Sequence, residues 1–243
     1  MKKLGLVQHI LPAALLILSA AIFTCAQDLP GNKQNARPER SVSIAPATEN
    51  KADAIKYTYE FTQPKFYIKH ILLEHDASGH GTITFERLNE DTPVVDPIQL
   101  SAGALARITK LWEALRFLDS DTNYQSERDF AHLGTMRIGL ERGGRKRVTE
   151  FNWTHDSNAA ALVAEYRRAA DQAVFVFDIS VARENQPLNA PKLMEALESM
   201  LKRDALSDPH QLVPLLLELS TDEHVPLIAR NHALRLIKLI QKR

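Results

Sequence analysis

Residues 67–88 constrain the fold of this chain more than any other stretch. Two runs rich in β-branched and aromatic residues, 67–74 and 82–88, flank the cluster His75-Asp76-Ala77-Ser78-Gly79-His80-Gly81. Polar turn residues with two glycines between such runs make the chain double back as a β-hairpin. In the first run Tyr67, Lys69, Ile71 and Leu73 share one face, and Ile68, His70, Leu72 and Glu74 share the other. In the second, Ile83 and Phe85 alternate with Thr82, Thr84 and Glu86, the pattern of a half-buried strand. The first run is apolar on both faces and reads as the more central of the two. Residues 92–100 suggest a short third strand through Val94 and Val95, which Pro93 and Pro97 confine to an edge or a loop.

Composition matters here for what it excludes. Apolar residues make up 44% of the 243 and charged residues 25%, the mix of a soluble globular protein. Basic and acidic residues balance at 30 each; without Lys2 and Lys3 the count is 28 against 30, a net −2. Such a chain has no general electrostatic attraction for nucleic acid or anionic lipid. The only cysteine, Cys25, sits at the end of the N-terminal apolar segment, so everything downstream lacks disulfides and thiolate chemistry.

The N-terminus has the form of an export signal over residues 1–26. Met1-Lys2-Lys3 is a positive start, and the apolar run is densest over 10–23, short for a membrane span of about 20 residues. Thr24 and Ala26 are small residues placed for cleavage before Gln27. An uncleaved anchor would have to include Gln8, His9 and Pro12, and a lipid anchor on Cys25 would follow Thr24, a poor match to the small residue such a site uses. Residues 27–56 carry Pro, Asn, Ser and charge without an apolar period and read as a flexible tether. Lys33, Arg37 and Arg40 within it read as solvated.

Beyond the hairpin, Ser101 has the position of an N-cap, and Leu105, Ile108, Leu111, Trp112 and Leu115 recur at helical spacing over 102–117. Trp112 is expected to anchor the core. The acidic loop 119–129 lacks the glycine and the twelfth-position glutamate of a calcium loop. A second hairpin follows, 135–141 and 145–153 about Gly143-Gly144. Arg142, Arg145, Lys146 and Arg147 cluster at its tip, either as a solubilising end or as a docking patch for an acidic partner. Asn152-Trp153-Thr154 matches a glycosylation sequon. Asp156 or Ser157 opens a helix to about residue 183. Two hairpins, each followed by a helix, predict a small α+β domain over 57–183, with an antiparallel sheet and both helices on one face.

The Pro64-x-x-Tyr67 entry, the Ser78-Gly79-His80-Gly81-Thr82 turn, the 108–118 helix, Tyr124 and the Gly143-Gly144 hairpin together make residues 61–173 resemble a family of uncharacterised exported bacterial proteins with a small α+β domain. The resemblance implies a fold and an exported location, and no activity. Family members often carry cysteines just before the first strand; here Gln63 and Lys65 flank Pro64, and redox chemistry is not implied.

Residues 187–243 read as helical. Leu193, Leu197 and Leu201 mark one helix, and Asp208-Pro209 caps a second that is apolar nearly all round. Ser220-Thr221-Asp222-Glu223 has the form of a capping box for the last helix. The final pair, 209–219 and 223–241, resembles one HEAT-type repeat, which needs neighbours to bury its face. Its basic stripe Arg230, Arg235, Lys238 and Lys242 is expected to be solvated.

Chemistry has few candidates. His70, His75 and His80 are spaced by five, and the odd offset sends His70 and His75 to opposite faces of a strand. His75 and His80 could meet across the turn with Asp76, giving a shallow metal site completed by His155 or Asp156. Ser78 lies between two histidines but has no evident orienting carboxylate. No nucleophile elbow, zincin, P-loop or dinucleotide fingerprint is present. The expectation is an exported, non-catalytic module that binds another protein, with no cofactor, nucleic acid or membrane span after cleavage. A metal-binding protein or hydrolase built on His75, Asp76 and His80, or a small-ligand carrier, is the alternative.

Overall fold

The computed structural model describes residues 54–243. The export signal, Cys25 and nearly all of the tether lie outside the described residues. The described chain is α+β: a six-stranded antiparallel sheet with helices on one face, continuing into C-terminal helices. The strands are β1 (Lys56–Thr62), β2 (Ile68–His75), β3 (His80–Arg87), β4 (Val94–Gln99), β5 (Thr135–Arg142) and β6 (Arg145–Phe151), in the order β4-β3-β2-β1-β5-β6.

Both expected hairpins form, and the proline-bearing β4 lies at an edge, where Pro97 withdraws no amide from an inner ladder. The sheet also holds a strand that the sequence reading left partly in the tether and otherwise unassigned. β1 pairs with β2 on one side and with β5 on the other, so it joins the two hairpins. Its residues Lys-Tyr-Thr-Tyr-Glu-Phe-Thr alternate strictly, with Tyr57, Tyr59 and Phe61 buried. Tyr59 faces Leu73 on one neighbour and Ile138 on the other. A strand with a neighbour on each side has all its ladder amides satisfied and its aromatic face covered.

Helix α1 (Ala102–Leu115) starts at Ser101, whose hydroxyl accepts from the Ala104 amide at 3.2 Å, and stops where Arg116 turns left-handed at φ 46°. Helix α2 (Ser157–Asn185) is capped by Asp156, whose carboxylate accepts from the Asn158 and Ala159 amides at 2.9 Å. Ile108 and Trp112 of α1 and Leu162 and Tyr166 of α2 pack on Tyr59, Leu73, Ile83 and Ile138 of the sheet.

At 29 residues, about 44 Å, α2 outruns the sheet. Its last turns carry Phe175 and Ile179 into a second core with α3 (Ala190–Lys202), α4 (Val213–Thr221) and α5 (Leu227–Ile240). The Asp208 amide donates to the Gln172 side chain at 2.9 Å, and Arg107 of α1 donates to the Ser207 carbonyl at 2.7 Å. Among the described residues no helix is long and apolar enough to cross a membrane.

The expected capping box is not formed. Ser220 belongs to the last turn of α4, where its hydroxyl donates to the Leu217 carbonyl at 2.7 Å, and α5 begins only after Pro226. Asp222 organises the gap instead: it accepts from the His224 amide at 3.0 Å and from Arg183 Nε at 2.6 Å. These contacts, Arg183 first, hold its carboxyl down at about 2. A folded value below the ordinary 3.8 adds stability that is present above about pH 4 and lost as pH falls toward 2. Asp222→Asn should therefore lower the urea midpoint near neutral pH, with the gap to wild type closing by pH 2. Gly81 makes a second test. A Cβ there would lie 1.8 Å from the Glu74 carbonyl oxygen across the hairpin, so Gly81→Ala should cost about 2–3 kcal/mol in equilibrium unfolding.

Candidate functional site

The histidine-bearing turn resolves into two separate structures. Asp76 caps its own loop: its Oδ1 accepts from the Ser78 amide at 2.8 Å, the Ser78 hydroxyl at 2.6 Å and the His80 amide at 3.1 Å. The Ser78 hydroxyl, ahead of these amides, holds the Asp76 carboxyl below its ordinary value. His80 Nδ1 lies 2.6 Å from Ser78 Oγ. The order is therefore carboxylate, hydroxyl, imidazole, whereas a charge-oriented nucleophile needs the imidazole in the middle. The group stands on an exposed turn.

His75 does not join it. Strand alternation turns it inward, where it is 3% exposed. Its Nδ1–H donates to the Asp76 carbonyl at 2.7 Å, its Nε2 accepts from the Tyr166 hydroxyl at 2.9 Å, and Trp112 Nε1–H donates to that hydroxyl at 3.0 Å. Burial lowers the His75 pKa and holds the ring neutral, and both its nitrogens are engaged. The alternative metal site at His75, Asp76 and His80 is not assembled: one imidazole faces the core and the other solvent. Asp156 is occupied as a helix cap and His155 is exposed. Among the described residues no group of three or more His, Cys, Asp or Glu side chains could hold a metal ion.

The basic hairpin tip is partly internal. Arg147 stacks on Phe117 at 4.6 Å and donates to the Phe117 and Thr122 carbonyls at 2.7 Å each. Arg145 binds the Leu118 carbonyl and, at 2.8 Å, Asp119. These two arginines hold the acidic loop against the sheet, so two of the four cations at the tip have partners within the fold. The Asn152 amide nitrogen, the sequon atom, donates to Asp129. In the C-terminal stripe Arg235, Lys238 and Lys242 are exposed, as expected, and Arg230 is half-buried.

Of the concavities among the described residues, two contrast in how their charges are matched. The outer face of the sheet holds a depression of about 340 Å³ whose charges are already matched: Lys56 with Glu74 at 2.7 Å, Arg137 with Glu60 at 3.3 Å, Lys146 with Glu141 at 3.7 Å. His70, sent to this face as expected, sits between Glu60 at 3.0 Å and Glu86 at 3.3 Å.

The other is a groove of about 770 Å³ between the β1–β2 connection, α2 and α3. Tyr59, Ile71, Val174 and Phe175 line it, and Phe66 and Tyr67 form its outer lip. Those two aromatics are 45% and 62% exposed, unusual for side chains of that size. Lys65, Arg167 and Arg203 also line it, and among the described residues none of them forms an ion pair with a carboxylate. Asp178 is neutralised by Arg87, which lies 5.9 Å from the centre of the Tyr67 ring. Asp171 keeps solvent access, and its pKa is raised by desolvation against the pull of Arg167 and Arg203.

Sequence reasoning did not find this groove. Arg167 lies in α2 and Arg203 caps the end of α3, 36 positions on, and no spacing rule joins them. The available signal was Phe66-Tyr67 directly after Pro64 and Lys65, adjacent aromatics in a connection where polar residues are the rule.

The Trp112–Tyr166–His75 string can be tested directly. Tyr166→Phe leaves a buried indole N–H and a buried imidazole nitrogen unpaired, and should destabilise the protein by about 2–4 kcal/mol in urea unfolding.

No protein-family model matches this chain, and no curated protein does.

Proposed function

We propose that this chain is an exported, non-catalytic interaction module that docks a segment of another protein in the groove between the β1–β2 connection, α2 and α3. One observation carries the proposal: exposed Phe66 and Tyr67 stand beside Lys65, Arg167 and Arg203, three cations that share one carboxylate, Asp171, and form no direct ion pair among the described residues. Aromatic and arginine side chains around a desolvated centre are what interface hot spots are made of. The signal-like N-terminus and the resemblance to exported bacterial proteins support the location. The inward-facing His75 and the order of Asp76, Ser78 and His80 speak against the hydrolase alternative. The groove is open along one side, and a carrier that must enclose most of its ligand is served less well by it.

The test is site-specific photo-crosslinking in an exporting bacterial host. A benzophenone amino acid at Tyr67 should give a discrete adduct with another exported protein. The same group at Val95, equally exposed at 62% but on the edge strand β4, should not. Adducts at neither position, or the same adducts at both, would overturn the proposal.

A further inference from the structure

Strand β6 is one edge of the sheet, and the turn that leads into it decides which of its backbone groups face outward. Gly143 and Gly144 join it to β5 with φ of 56° and 73°, so Arg142 and Arg145 face each other as a hydrogen-bonded pair. Bonded and free residues alternate from there. Arg145, Arg147, Thr149 and Phe151 turn their amides and carbonyls to β5, and Lys146, Val148 and Glu150 turn theirs away. Among the described residues no backbone group pairs with those of Lys146, Val148 or Glu150 on the open side. The loop after α1 reaches β6 through Arg145 and Arg147, whose side chains share the inner face with Phe151. Its own hydrogen bonds meet the edge only beyond the strand, where Gln125 Oε1 accepts from the Asn152 amide at 2.9 Å and the Ser126 amide donates to the Trp153 carbonyl at 2.8 Å.

An open edge is a template for another strand, and the side chains along it choose which. Lys146, Val148 and Glu150 share the outer face and are exposed, Val148 at 39%. Lys146 has only a 3.7 Å contact with Glu141, both at least half exposed, a pair of little strength. Arg137, which faces Glu150 across the ladder, is paired with Glu60 instead. Read in the opposite direction, Lys-x-Val-x-Glu is its own complement in charge.

We infer that β6 pairs antiparallel with β6 of a second copy of this chain, about a two-fold axis through Val148, so that one sheet runs through both copies. Val148 then lies opposite the partner's Val148, and Lys146 opposite the partner's Glu150, repeated by the symmetry. The facing residues are those with free backbone groups, so each facing pair exchanges its main-chain hydrogen bonds. A shift of two residues one way sets Lys146 against the partner's Val148 and leaves Glu150 opposite a glycine of the turn. The opposite shift needs the Asn152 amide, which Gln125 already holds. The antiparallel arrangement also keeps the two basic hairpin tips at opposite ends. This surface is separate from the groove. The contact is small, and a dissociation constant in the micromolar range is expected.

The test is sedimentation velocity of the full chain over micromolar to millimolar concentrations. A monomer–dimer equilibrium is expected. Lys146→Glu and Glu150→Lys should each weaken it at least about tenfold, because each sets like charges opposite one another. An equimolar mixture of these two variants should associate again, since its facing residues are once more of opposite charge. Val148→Pro should abolish the dimer and leave the β5 ladder intact, because the amide it removes points away from β5. A chain that stays monomeric throughout would overturn the inference, and slow hydrogen exchange at the Lys146, Val148 and Glu150 amides of that monomer would show the edge to be covered from within the chain. A dimer indifferent to both charge reversals and to the proline, or a mixture that fails to associate while the wild type does, would overturn it equally.

Discussion

The described fold depends on one polar string through its main core. Trp112 from α1, Tyr166 from α2 and His75 from β2 satisfy one another in sequence, and the Asp76 carbonyl closes the end. Each of these groups would be expensive to bury alone. Together they specify how the two helices sit on the sheet, because a slip of either helix leaves a buried donor or acceptor unpaired. Aromatic packing reinforces the same arrangement: Tyr59 stacks on Tyr166 at 5.2 Å and Tyr57 on His75 at 4.8 Å. The histidine is engaged in holding the core and is not free for chemistry.

The length of α2 follows from its place between two cores. Its first half packs on the sheet, and its second half contributes Phe175 and Ile179 to the C-terminal helices. Side-chain amides stitch the two ends, with Gln172 holding the Asp208 amide and Gln211 reaching the Gln99 carbonyl at 3.2 Å. A helix that runs past the sheet leaves a step beneath its middle turns. α3 closes one side of that step and the β1–β2 connection the other. The groove is a consequence of this overhang.

Where charge is matched also separates scaffold from surface. On the outer face of the sheet, cations and carboxylates pair across neighbouring strands, which protects an uncovered sheet face but offers little to a partner. At the hairpin tip exposed Arg145 and half-buried Arg147 bind loop carbonyls. In the groove, apolar surface and exposed aromatics coincide with three cations that share one carboxylate, Asp171. Isolated exposed charges contribute little; beside apolar surface that a ligand would dehydrate they contribute more.

Much of the local structure was legible because it rests on short-range rules. The alternation of Ile83 and Phe85, the glycines of both turns, the caps at Ser101 and Asp156 and the edge position of a strand carrying Pro97 are all readable within a few residues. β1 is equally readable in the alternation of Tyr57, Tyr59 and Phe61, but it lies between the tether and the first hairpin, and the hairpin pattern that begins at residue 67 does not extend to it. The capping box failed for the opposite reason: the right letters stood at 220–223, but Ser220 still belonged to the preceding helix. His75, Asp76 and His80 looked like one site because they are adjacent in sequence, and alternation pulled them apart. By itself the sequence determined the α+β class, the hairpins and the balance of charge, since these follow from local periodicity and composition. Only the tertiary structure decided that His75 is a core residue and that Tyr59, Arg167 and Arg203 share a groove, because those residues lie up to 144 positions apart and meet only when α2 packs on the sheet and α3 packs on α2.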